Sequence, residues 1–118
     1  MKYRSVITYK HYFESFFDKL EIMVQNKIIN TIRYIEEIER IPEKYFKHLS
    51  STKGLYEIRV QIRNDQFRIF SFFDKGKLII LANGFNKKRQ KILLSEIRRA
   101  LKIKKDYENE KQKHKNIR

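Results

Sequence analysis

Three runs between Leu55 and Phe85 constrain this chain more than anything else in it. They read Leu55-Tyr56-Glu57-Ile58-Arg59-Val60-Gln61-Ile62, Gln66-Phe67-Arg68-Ile69-Phe70-Ser71-Phe72-Phe73, and Lys77-Leu78-Ile79-Ile80-Leu81-Ala82-Asn83-Gly84-Phe85. Each is rich in β-branched and aromatic residues, and short polar turns separate them, which is the pattern of an antiparallel meander. In the first run Tyr56, Ile58, Val60 and Ile62 alternate with Glu57, Arg59 and Gln61. A period of two sends the apolar set to one sheet face and the polar set to the other. The second run is apolar on both faces except for Arg68, as expected of a central strand. A guanidinium in such a strand is costly to bury unless it is paired or opens onto a groove. The sheet is therefore expected to have a core face and a working face, with Arg59 and Arg68 on the working face. An ion pair between Arg68 and Glu57 is the competing structural reading.

The flanking segments follow helical spacing. A short strand is expected over residues 3–8. Phe13, Phe16, Phe17 and Leu20 then form one stripe, and Ile28, Ile32, Ile35 and Ile38 a second. Asp18 and Glu21 have the spacing of a capping box, which would restart the helix there. Pro42 disfavours helix at Ile41 and should end the second helix near residue 40. The stripes predict a helical hairpin packed on the sheet. Residues 43–54 read as a connector, and Arg63-Asn64-Asp65 and Asp74-Lys75-Gly76 as hairpin turns. Helical spacing returns at Leu94, Ile97 and Leu101, opposite Arg98, Arg99, Lys102 and Lys105. The expectation is one α+β domain over residues 1–107, followed by a charged tail, 108–118, that is frayed or disordered.

Composition narrows the partners. The 118 residues contain 28 Lys and Arg against 14 Asp and Glu, a net charge of +14. Such an excess favours polyanions, although a lysine surplus for solubility would give the same balance. There is no cysteine, and His11, His48 and His114 are far apart, so no metal centre is expected. Three glycines are too few for a phosphate-cradling loop. Lys2, Arg4, Glu14, Asp18 and Glu21 interrupt any apolar leader. No uncharged run reaches the length of a membrane span, so the cytoplasm is the expected compartment. The cations close to the meander, Lys53, Arg59, Arg68, Lys87, Lys88, Arg89 and Lys91, are the candidate phosphate contacts.

The order strand, two helices, meander, basic loop, helix resembles the RelE/ParE toxin superfamily. Gly54-Leu55-Tyr56-Glu57-Ile58-Arg59, Phe67-Arg68-Ile69-Phe70 and Leu81-Ala82-Asn83-Gly84-Phe85-Asn86-Lys87-Lys88 resemble its HigB-type, phage-derived branch, as do Ser95-Glu96-Ile97, Ala100 and Asp106-Tyr107. The branch usually carries histidine where this chain has Asn83, and Thr-Pro where it has Ile92-Leu93. The resemblance implies the toxin of a toxin–antitoxin pair, a ribosome-dependent mRNA endonuclease needing no cofactor. Its implied partners are a cognate antitoxin of helix-turn-helix type, the ribosome and mRNA, with DNA reached only through the antitoxin. The implied reaction is attack of a ribose 2′-OH on the adjacent phosphate, which needs a base, an acid and cations for the phosphorane. Arg59 and Arg68 are the candidates for that charge, and Lys87, Lys88, Arg89 and Lys91 for holding RNA. Candidates for proton transfer are His48, Lys53 and Tyr107. Two other readings stay open: a ParE-like inhibitor of DNA gyrase, and a basic RNA-binding protein without catalysis.

Overall fold

A computed structural model describes residues 2–87 and 94–117. The elements are β1 (Ser5–Thr8), α1 (Tyr12–Phe17), α2 (Ile22–Glu37), β2 (Phe46–His48), β3 (Tyr56–Ile62), β4 (Asp65–Asp74), β5 (Leu78–Asn86) and α3 (Leu94–Ile117). The strands form one five-stranded sheet in the order β1-β5-β4-β3-β2. The meander is present as expected, β3 to β4 to β5, all antiparallel. β1 adds to it in parallel along β5, reached through the two helices.

Helices cover both sheet faces. On one face Phe13 of α1 and Val24, Ile28 and Ile35 of α2 pack with Ile58, Val60, Phe67, Ile69, Ile79 and Leu81. On the other, Ala100 and Ile103 of α3 pack with Leu55, Phe70, Phe72, Ile80 and Ala82. The second face is thus not a bare working face, as the alternation suggested. Phe70, Phe72, Ile80 and Ala82 are apolar and need a cover, and α3 supplies it.

Four further expectations are corrected. The connector 43–54 contains β2, whose residues pair with β3 through Phe46↔Ile58, Lys47↔Glu57 and His48↔Tyr56. Three residues are too few to show a period. Asp18 is the C-cap of α1, and Glu21 is the N-cap of α2 with no side-chain cap bond, so the capping box does not form. The second helix ends at Glu37, short of residue 40. Arg4 donates to the carbonyl of Ile35 in the last turn and to those of Ile38 and Glu39 just past it, while Glu36 O accepts from Tyr3 N, so the segment before β1 supplies donors to the helix end. Finally, α3 continues to Ile117 through the segment expected to fray. Its side chains reach back to the body: Lys111 pairs with Asp74, and Glu110 accepts from Tyr9.

A β-bulge shapes β5. Ile69 pairs with Gly84 and Ser71 with Leu81, so Phe70 stands opposite two residues, Ala82 and Asn83. The extra residue resets the alternation: Ala82 and Phe85 both face α3. Asn83 is buried, and its amide nitrogen donates to the backbone oxygen of Glu96 (3.2 Å) and its Oε1 (3.0 Å), fixing the start of α3. At Gly84 a Cβ would lie 2.4 Å from Cδ2 of Phe16, so only glycine lets α1 approach this strand.

Candidate functional site: an arginine pair above an open groove

Arg59 of β3 stands directly opposite Arg68 of β4. Both lie on the sheet face that β3 gives to Glu57 and Gln61, as the period-two pattern requires. Two guanidiniums at one register position repel, and Glu57 lies between them. Its Oε1 is 3.6 Å from Arg59 Nε and its Oε2 3.8 Å from Arg68 Nε. Glu57 and Arg68 are each only 5% exposed. Arg68 also donates to Phe67 O (3.2 Å) and Gln66 Oε1 (3.0 Å). Burial, and then the neighbouring Arg59, push the Arg68 pKa below its ordinary value, with Glu57 opposing. The Arg59 side chain keeps 31% of its exposure, and its one hydrogen bond among the described residues is long, 3.4 Å to Glu43 O.

The pair opens onto a groove of about 410 Å³ whose walls include Lys27, Lys44, Tyr45, Gln61 and Gln66. The groove exists because β2 is short. It pairs β3 only as far as Ile58, and Tyr45 O accepts from Arg59 N. Beyond Arg59 the outer edge of β3 is open, and Lys27 of α2 donates to the Gln61 carbonyl there. The arrangement is a cationic channel along a sheet edge: an accessible fork at Arg59, a buried one behind it, and lysines on either side.

The other candidates are distributed around the fold. Lys87 lies at the same end of the sheet as the pair, since its backbone N–H donates to Gln66 O. Lys88, Arg89 and Lys91 lie outside the described residues. His48 does not join the arginines. It is paired with Tyr56, its ring 5.2 Å from the Tyr56 ring, on the α2 side of the sheet, whereas the arginines project to the α3 side. Lys53 is exposed in the loop before β3, beyond Tyr56 rather than near the groove. Tyr107 is further away. It donates to Asp74 Oδ2 (2.6 Å) at the far end of β4. Asp74 lies six positions along β4 from Arg68, about 20 Å at a strand's rise. Burial and the Asp74 bond push its pKa up to about 12, so it is a structural tie rather than a proton donor for the arginine pair.

Reading by sequence missed Lys27, Lys44 and Gln66. Only the packing of α2 beside a sheet edge brings Lys27 to the groove, and no spacing signal announces that. Glu57 was visible as a partner of Arg68; its second contact, to Arg59, follows from the Glu-x-Arg spacing on one strand face.

Among the described residues no cluster of His, Asp or Glu is suited to hold a metal, and no helix is long and apolar enough to cross a membrane. The class defined so far is a basic α+β protein, a five-stranded sheet between helices with an arginine pair over an open groove. The chain belongs to the family described as phage derived protein Gp49-like (DUF891), whose profile matches residues 15–105. This is a toxin-like family of the RelE/HigB type. The matched span holds every groove residue named above. No curated protein and no solved structure matches the chain.

Proposed function

We propose that this protein is the toxin of a toxin–antitoxin pair and acts as a ribosome-dependent mRNA endonuclease. The observation that carries this reading is the Arg59–Glu57–Arg68 arrangement at the mouth of a cationic groove; membership of a toxin-like family supports it. In the proposed reaction a message strand lies along the open edge of β3. Arg59 donates to the non-bridging oxygens of the scissile phosphate as the 2′-oxygen attacks. The P–O5′ bond breaks, leaving a 2′,3′-cyclic phosphate and a 5′-hydroxyl. Arg68 orients Glu57, which in turn orients Arg59. A fork held on a strand loses little freedom when it meets the phosphorane, which is the basis of electrostatic catalysis. Of the groove-wall residues Lys27, Lys44 and Tyr45, one in its neutral form takes the 2′-hydroxyl proton and a second protonates the departing 5′-oxygen; these replace His48, Lys53 and Tyr107 as candidates for proton transfer.

A second reading, a binder of gyrase or RNA without catalysis, is favoured by one observation: Arg68 is buried and paired, as a scaffold residue would be. Mapping of mRNA 5′ ends after induced expression separates the two, using wild type and Arg59→Ala. The nuclease reading expects new 5′-hydroxyl ends within translated message that vanish in the variant. Intact message together with inhibited gyrase supercoiling would establish the binder reading instead.

A further inference from the structure

Beyond the arginine pair the same sheet face carries a pair of amides. Gln61 of β3 stands opposite Gln66 of β4, one step nearer the hairpin turn than Arg59 and Arg68. That step is two residues, about 7 Å at a strand's rise. Both glutamines line the groove, and they differ in freedom. Gln66 is half-buried, and its Oε1 accepts from Arg68 Nη2 at 3.0 Å. A guanidinium has donors and no acceptor, so it fixes which end of the amide it meets. Arg68 is itself held by Phe67 O and by Glu57 beside it. The Gln66 amide therefore keeps its oxygen on Arg68 and leaves Nε2, with two N–H donors, for the groove. Nε2 makes no hydrogen bond among the described residues. Gln61 is exposed, its side chain makes no hydrogen bond among the described residues, and it can turn either end of its amide outward.

We infer that Gln66 reads a base, selecting one that presents a carbonyl oxygen, guanine or uracil, next to the phosphate held by Arg59. A phosphate on the accessible fork of Arg59 anchors the strand, and the base of an adjoining nucleotide comes within reach of the glutamine pair. Single-stranded RNA is commonly read by hydrogen bonds to splayed base edges. Guanine offers O6 and N7, both acceptors, and uracil, like thymine, offers O4. Adenine and cytosine put an amino group at the same place. Against Gln66 that amino group would set donor on donor, and both groups would give up water without gaining a partner. Turning the amide over to accept from the base would bring its NH2 onto Arg68, again donor on donor, so the arginine bars that alternative. Gln61 adds a contact to either kind of base and does not choose between them. That this base lies beside the cut rests on the proposed function; the preference for carbonyl over amino does not.

Two assays on the full chain test this. In the first, 2′-O-methyl oligouridine and oligocytidine of equal length, which cannot be cut, are titrated against the protein alone. They carry the same phosphates and differ in what the base presents. Wild type should bind oligouridine about five- to tenfold more tightly, the effect of about one hydrogen bond made rather than refused. Gln66→Glu keeps one oxygen on Arg68 and turns the other to the groove as an acceptor, so oligocytidine should become the tighter ligand. Gln66→Ala should bring the ratio close to one. In the second assay message is cut on ribosomes, with each of the four bases placed in turn on either side of the cut. Guanine and uracil should be favoured over adenine and cytosine on one side by a similar ratio, inverted by Gln66→Glu. Equal binding of the two oligonucleotides by wild type would overturn the inference. So would variants that weaken both alike, which would leave Gln66 as a support for Arg68. Inversion in the first assay with no cutting in the second would uphold the reading of the base and refute the nuclease.

Discussion

At the scale of residues, one carboxylate decides how two arginines behave. Without Glu57, Arg59 and Arg68 would face each other across β3 and β4 with like charge and little water. Removing one partner of a buried charge cluster leaves the other uncompensated, which typically costs about 3 kcal/mol. Glu57→Gln should therefore lower the melting temperature clearly and slow cutting, since Arg59 loses its orientation. The two arginines should differ. Arg59→Ala is expected to melt close to wild type and to cut about 10²–10³-fold more slowly, the usual loss for one oriented donor. Arg68→Ala should both melt earlier and cut slowly, because Arg68 is buried beside Glu57. Single-turnover kinetics on ribosomes, with a thermal melt of each variant, check the ordering. An Arg59→Ala protein that cuts normally would remove Arg59 from the chemistry.

At the scale of elements, the first and last helices are held against the sheet by opposite means. Gly84 holds α1 close by having no side chain. Gly84→Ala would drive a methyl into the Phe16 ring, and overpacking of this kind costs about 1–3 kcal/mol. A denaturant melt should show that loss. The far half of α3 is held by polar ties instead. Lys111 first, then Tyr107, lower the Asp74 pKa below its usual 3.8, and burial followed by Asp74 raises Tyr107 to about 12. The signs of the two differ. A lowered carboxyl pKa stabilises the fold above 3.8, and that stability is lost as pH falls through the native value. A raised phenol pKa stabilises it below the ordinary 10, and that stability is lost as pH climbs from 10 to about 12. Melting temperature against pH for wild type and Tyr107→Phe should show the alkaline loss reduced in the variant. Parallel curves over pH 10–12 would mean that Tyr107 does not anchor α3.

At the scale of the whole molecule, the net charge of +14 should set both association and inhibition. Binding to ribosomes is expected to weaken steeply with salt, since phosphate contacts release counterions. Induced alone, the protein should stop growth and translation, and co-expression of an acidic neighbouring antitoxin should restore both. Soluble, folded protein that leaves translation untouched would rule out the toxin reading.

Much of this molecule is decided locally and can be read from the chain. Alternation over Tyr56–Ile62 fixes which face Glu57 and Arg59 share, because successive strand residues point opposite ways. The meander, the two N-terminal helices and the basic stripe of α3 follow from the same kind of periodicity. What only the tertiary structure decided depends on neighbours distant in sequence. β2 is three residues long and is strand only because β3 has a free edge. Asn83 becomes the bulge residue because β5 must turn Phe85 toward α3. The charged end of α3 is helical where composition alone suggested a frayed tail, since Asp74, Tyr9 and Lys10 offer it partners that no local pattern reveals. The groove belongs to the same class: Arg59 and Arg68 were visible on their strands, but Lys27 reaches the groove only through the packing of α2. His48, Lys53 and Tyr107 were plausible chemically, and the sheet separates them from the arginines by placing His48 on the opposite face, Lys53 beyond the start of β3 and Tyr107 at the far end of β4.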